Sequence, residues 1–186
     1  MNPRIHMAGR WWPLQKEQLD LMKVACEEDW ELEVVQVLSD WWSDCDEMVS
    51  KTSGSTGTPK LIAHQKKAMV QSALRTIRWF DVSEDTVACL VMPAAFIGGK
   101  MMLIRAIVGG WSLYVQRPSR LPSVKLPCDF VAMTVAQAKE LIRKSSESWS
   151  QLRTVLLGGS PVEPHWIQKM PSGPVVFESF GMTETI

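Results

Sequence analysis

Thr52-Ser53-Gly54-Ser55-Thr56-Gly57-Thr58-Pro59-Lys60 gathers hydroxyl side chains, two glycines and a lysine into one short stretch. That composition suits phosphate oxygens. Gly54 and Gly57 let the backbone approach a ligand closely, and successive N–H groups in such a turn form a concavity for anions. Ser53, Ser55, Thr56 and Thr58 add hydroxyl donors, and Lys60 adds a point charge. The order of residues differs from G-x-x-x-x-G-K-[ST], so this is not a Walker A loop.

Two further stretches lie downstream. Leu156-Leu157-Gly158-Gly159-Ser160-Pro161 follows one apolar run, and Ser179-Phe180-Gly181-Met182-Thr183-Glu184-Thr185 follows another. The trio, in this order, resembles the adenylate-forming superfamily of acyl-CoA synthetases, luciferases and peptide-synthetase adenylation domains. The connecting segments Gly98-Gly99-Lys100-Met101-Met102 and Asp129-Phe130-Val131-Ala132-Met133 look like the compact o-succinylbenzoate–CoA ligases of menaquinone biosynthesis.

The resemblance implies an acid–thiol ligase that uses ATP, Mg2+ and coenzyme A on a small-molecule carboxylic acid. It assigns the first stretch from Thr52, chiefly Ser53, Gly54, Ser55, Thr56, Gly57, Thr58 and Lys60, to the β- and γ-phosphates. Thr183 would meet the α-phosphate, and Glu184 would hold the metal. Phe180 would stack on adenine, with Gly158, Gly159 and Ser160 lining the same pocket and Gly181 and Met182 completing the motif. In Met92-Pro93-Ala94-Ala95-Phe96-Ile97-Gly98, Phe96 stands where the superfamily usually has histidine, so Phe96 and Gly98 belong to an acyl-pocket wall without imidazole chemistry. A second carboxylate on the substrate needs a resident cation. Lys100 is the first candidate and Arg105, on the same expected helix, the second. The bland alternative for Lys100 is a solvated residue at a helix start, where the positive helix end disfavours a cation. His64 reads as an ordinary surface or helix-entry residue.

The pattern of apolar residues points independently to an α/β layered structure with a largely parallel sheet. Helices are expected over 13–25, with Leu14, Leu21 and Val24 on one face, and over 29–42, 65–80, 100–108 and 135–143. Strands are expected over 47–51, 86–91, 111–115, 130–133, 154–157 and 175–178, with an irregular connection at 116–127. Residues 1–46 read as a helical lead-in and 47–186 as an incomplete AMP-binding core. Relatives continue with a ribose-holding aspartate and a small C-terminal domain carrying a catalytic lysine, so the expectation is a fragment.

Twenty basic residues balance twenty acidic ones. Without a basic stripe, nucleic acid is not an expected partner. Cys26, Cys45, Cys89 and Cys128 lack any C-x-x-C spacing and read as reduced core thiols. The apolar stretch near 87–97 contains Pro93 and is too short to span a bilayer, and the N-terminus has no leader-like apolar segment. A cytoplasmic protein without membrane insertion is expected. Its oligomeric state and its acid are left open by the sequence. A different acyl-CoA synthetase or adenylation domain, or a non-catalytic nucleotide- or acyl-binding module, stands as the alternative.

Overall fold

The structure, a computed structural model, describes residues 2–52, 60–179 and 183. The chain opens with two strands, β1 (Arg4–Met7) and β2 (Arg10–Pro13), which pair antiparallel. Ala8 and Gly9, with φ of 50° and 72°, form the intervening turn in the geometry that tight hairpins require. A 3-10 turn at Lys16–Gln18 leads into α1 (Leu19–Ala25), so the helix expected over 13–25 starts later. Its inward residue is Met22, while Leu21 and Val24 are exposed; Leu14 is buried, but ahead of the helix.

Helix α2 (Asp29–Trp41) carries Val34, Val35, Val37 and Leu38 inward. Its buried Glu31 closes the N-terminus, accepting hydrogen bonds from the Glu27 and Glu28 amides and from Ala8 in the hairpin turn. Strands β3 (Glu47–Lys51) and β4 (Leu61–Gln65) then form a separate antiparallel ribbon. Strand β4 was not expected, and it makes His64 a buried strand residue rather than a surface one. Helix α3 (Lys66–Trp79) follows, with Met69 and Ala73 inward.

The remaining elements alternate: β5 (Val87–Leu90), α4 (Ile97–Gly109), β6 (Ser112–Val115), β7 (Cys128–Thr134), α5 (Val135–Lys144), α6 (Ser146–Ser150), β8 (Leu152–Gly158), α7 (Pro164–Ile167) and β9 (Val175–Glu178). Residues 116–127 are irregular, as expected. The large sheet has the order β2-β1-β6-β5-β7-β8-β9. Every neighbouring pair except β1–β2 is parallel. The fold is thus α/β, a mostly parallel sheet flanked by helices.

Both faces of that sheet are covered, which is why the centre of β7, residues 130–133, reads as an unbroken apolar run. Phe130 and Ala132 face a core shared with α2, α3 and α4. Cys128, Val131 and Met133 face a second core built with α5 and Trp149. Cys89 also lies in that second core, whereas Cys45 is exposed. Thr134 and Gln137 form a reciprocal cap at the start of α5, and Gln137 also donates to the Val91 carbonyl at 2.8 Å, tying α5 to the end of β5.

Helix α4 is apolar nearly all round and correspondingly deep, and it stops at Gly110 in the left-handed conformation. Its first turn packs on backbone. A Cβ at Gly99 would lie 2.2 Å from the Pro93 carbonyl oxygen, so even a methyl group forces the two segments apart. Gly99→Ala should cost about 2 kcal/mol of stability, as overpacking does. Urea unfolding that gives an unchanged midpoint would contradict this packing.

Candidate functional site

The ribbon β3–β4 is a hairpin whose connection is the glycine- and hydroxyl-rich stretch. Its neck is closed by two hydrogen bonds: the Thr52 amide donates to the Lys60 carbonyl, and the Lys60 amide donates to Thr52 Oγ1, each at 2.9 Å. Lys60 itself is exposed. A parallel bridge joins Lys51 to Phe96, which sets the start of α4 beside this neck. Phe96 is the N-cap residue of α4 and is exposed, while Gly98 packs within its first turn near Met92.

Because the strands β5, β7, β8 and β9 run parallel, their carboxyl ends share one edge, where open α/β sheets collect ligands. Gly158, Gly159 and Ser160 lie there, at the end of β8. Gly159 has φ of 82°, and a Cβ on it would approach Thr134 at the end of β7 to 3.6 Å. Ser179, just past β9, donates both its amide (2.7 Å) and its hydroxyl (2.8 Å) to the Leu157 carbonyl. A Cβ at Gly158 would come within 2.9 Å of the Ser179 hydroxyl, so a larger residue there would have to displace that side chain. Thr183 lies in a turn and is half-buried.

An open cleft of about 610 Å³ lies at this edge, lined by Arg75, Thr76, Arg78, Phe80, Arg105, Leu156 and Ser179 among others. Arg105, on α4, is half-buried. Its Nε donates to Thr76 Oγ1 at 3.2 Å, and one terminal nitrogen lies 3.9 Å from Met102 Sδ. Burial alone lowers its guanidinium to about 10, so it stays charged at neutral pH. Among the described residues no carboxylate forms a salt bridge with it.

Lys100, one turn earlier on α4, has a different environment. It is 2% exposed, and its ammonium donates to the Val49 carbonyl of β3. Burial depresses the ammonium below the ordinary lysine range, and Asp40 and Glu33 on α2 partly oppose that shift. It is neither a solvated helix-start residue nor one of the residues lining the cleft. The sequence ranked Lys100 above Arg105; of the two, the structure sets only Arg105 on the cleft.

The expected site residues Ser53, Gly54, Ser55, Thr56, Gly57, Thr58, Phe180, Gly181, Met182 and Glu184 lie outside the described residues. The structure brings together Gly158, Ser179 and the cleft bearing Arg105, and separately Thr52, Lys60 and Phe96. Arg75 and Arg78 are exposed on α3. The cleft is also lined by Thr76, Arg78 and Ser179, which the sequence reading did not single out as site residues. Their signal was the Arg75–Thr76–Arg78 cluster on the helix directly after the hairpin, and the position of Ser179 beside Phe180. No group of His, Cys, Asp and Glu among the described residues is arranged to hold a metal ion. No helix among them is long and apolar enough to cross a membrane.

This geometry has clear relatives. The chain is similar to the 2-succinylbenzoate–CoA ligase of Bacillus pumilus, at 26% identity over 72% of the chain and 29% of the relative. Among solved structures it resembles an acyl-CoA synthetase (AMP-forming)/AMP-acid ligase II-like protein from Dyadobacter fermentans. That match has 31% identity and a TM-score of 0.76, and it covers 85% of this chain and 47% of the other. The O-succinylbenzoate coenzyme A synthetase of Bacillus subtilis, solved with ATP and magnesium ion, shares the fold. Its TM-score is 0.59 at 21% identity, over 73% of this chain and 30% of that one. The chain thus spans about a third of the curated relatives' length. The strand-end turn, the cleft and all of the ribbon but Glu47 fall within residues 48–186, which match the AMP-binding enzyme family, and to that family the chain belongs.

Proposed function

We propose that this chain forms the nucleotide- and acid-binding part of an ATP-dependent acid–CoA ligase whose acid is o-succinylbenzoate. The observation that carries the choice of acid is Arg105, a half-buried guanidinium held by Thr76 on a cleft, with no carboxylate in a salt bridge to it among the described residues. A half-buried charge of this kind favours an anion, and its fork matches a carboxylate. o-Succinylbenzoate has two carboxylates. One would be activated, and the ring carboxylate would be left to Arg105, with Arg78 lining the same cleft.

The donors present suit a polyphosphate. The exposed Lys60 sits at a neck whose hydrogen bonds fix its backbone, and Gly159 and Ser160 offer an exposed turn at the strand ends. In this reading Ser53, Ser55, Thr56, Thr58 and Lys60 hold the β- and γ-phosphates, Thr183 meets the α-phosphate, and Phe180 covers the adenine. Glu184 together with the phosphate oxygens is the oxygen set a hard cation takes, and Mg2+ bound there would draw negative charge off the phosphates.

The chemistry follows from the leaving groups. A carboxylate resists a thiol because oxide would have to leave. A carboxylate oxygen therefore attacks the α-phosphorus, forming a P–O bond as the bond to pyrophosphate breaks. The coenzyme A sulfur, after losing its proton, then attacks the acyl carbon, and AMP departs with the electron pair of the C–O bond. The chain's own residues contribute positioning and charge neutralisation, which dominate phosphate-transfer catalysis.

Two measurements on the full chain test this. Lys60→Ala removes a charge-assisted contact, so the ATP Kd measured by calorimetry should rise about tenfold. Unchanged ATP affinity would contradict the phosphate assignment. Arg105→Met keeps an apolar stem but loses the charge, so KM for o-succinylbenzoate should rise at least about tenfold. KM for benzoylpropionate, which lacks the ring carboxylate, should stay nearly constant. Equal effects on both acids would remove Arg105 from the substrate.

A further inference from the structure

We infer that Lys100 is a positioning residue for the phosphate-binding neck: its ammonium, held on the Val49 carbonyl, fixes the β3–β4 ribbon on α4 so that Thr52 and Lys60 keep their place at the start of that helix. The inference rests on the nucleotide reading of the neck given above.

The ribbon is the part of the fold that needs such a device. A two-stranded hairpin is marginal by itself, and β3–β4 belongs to a sheet of its own rather than to the large one. Met48 and Ser50 turn inward, but apolar packing is non-directional and does not set how far a strand slides along a helix. Directional bonds do. Two of them flank the neck on the β3 side: the Lys51–Phe96 bridge, and the Lys100 ammonium on Val49.

The third element at this point is α2. Glu33 Oε1 accepts a hydrogen bond from the Ala95 amide at 2.9 Å, which holds the segment entering α4, and the same carboxylate attracts the Lys100 ammonium. Asp40, two turns along α2, adds a second attraction. One buried ammonium therefore joins α2, β3 and α4.

A cation there is costly in two ways. Burial strips its water, and the first turn of a helix repels positive charge. Met101, Met102 and Leu103, which follow it on α4, are all buried and apolar, so Lys100 is the one charge in this buried run. The cost is offset by the Val49 carbonyl, on the strand that ends at Lys51, and by the attraction of Glu33 and Asp40. Arg105 lines the cleft and Lys100 does not, so in the reading above the acid falls to Arg105.

The test is Lys100→Met in the full chain, which keeps the stem's volume and removes the ammonium. The ATP Kd by calorimetry should rise about tenfold, while KM for o-succinylbenzoate should change less than about twofold. Backbone amide exchange over residues 47–52 should accelerate. A merely structural role would lower thermal stability and raise both constants together, and that result overturns the proposal. So does unchanged ATP affinity, or a selective rise in KM for the acid. If Lys100→Met fails to fold, Lys100→Gln, shorter and uncharged, carries the same comparison, with an expected loss of about threefold in ATP affinity. An unsubstituted chain that binds no ATP overturns the nucleotide reading and this inference together. ATP binding that is normal in the unsubstituted chain and equal in the variants overturns this inference alone.

Discussion

A single direction of travel governs this molecule. Strands β1, β6, β5, β7, β8 and β9 are parallel neighbours, so every connection between them must return across a face of the sheet. Helices α4 and α5 make two of those returns on opposite faces, and each buries the face it crosses. The carboxyl ends of the strands are then forced to one edge. The Gly158–Gly159 turn, Ser179 and the start of α5 meet there because the chain has nowhere else to turn. The separate β3–β4 ribbon is brought in from outside and joined through Phe96 and Lys100.

Two cations on one helix show how local environment sets a role. Lys100 and Arg105 lie five residues apart on α4, and burial lowers the proton affinity of both. Lys100 finds a backbone carbonyl and two nearby carboxylates, so its charge is spent inside the fold. Arg105 finds a hydroxyl and a thioether, which orient the guanidinium without neutralising it. The first arrangement joins elements, and in the proposed reading the second leaves a field for an incoming anion.

The core strands were legible in the sequence because burial on both faces writes a continuous apolar run, as in residues 130–133. The ribbon strand β4 was not, since Leu61, Ala63 and Gln65 are exposed and only its pairing with β3 makes it a strand. The hairpin β1–β2 has short strands and a turn built from Ala8-Gly9, which lacks the Asn-Gly or Asp-Gly signature. Helix α1 was assigned the wrong face because Leu21 and Val24 fit the helical period as well as Met22 does, and only the neighbours decide between them. Of the site, the three motifs were readable from residue types, and the turn at 158–160 lies at a strand end as they required. The structure sets Arg105 on the cleft and Lys100 away from it, which the sequence did not show. Sequence distance from a motif says nothing about which side of a buried helix meets the cleft.

A crystal structure of the full chain with o-succinylbenzoate and a non-hydrolysable ATP analogue tests the central claim most directly. The account predicts the ring carboxylate within hydrogen-bonding distance of the Arg105 guanidinium, the β- and γ-phosphates at Lys60, and the Lys100 ammonium still on the Val49 carbonyl. An acid bound away from Arg105, or a Lys100 ammonium turned onto the ligand, would contradict it.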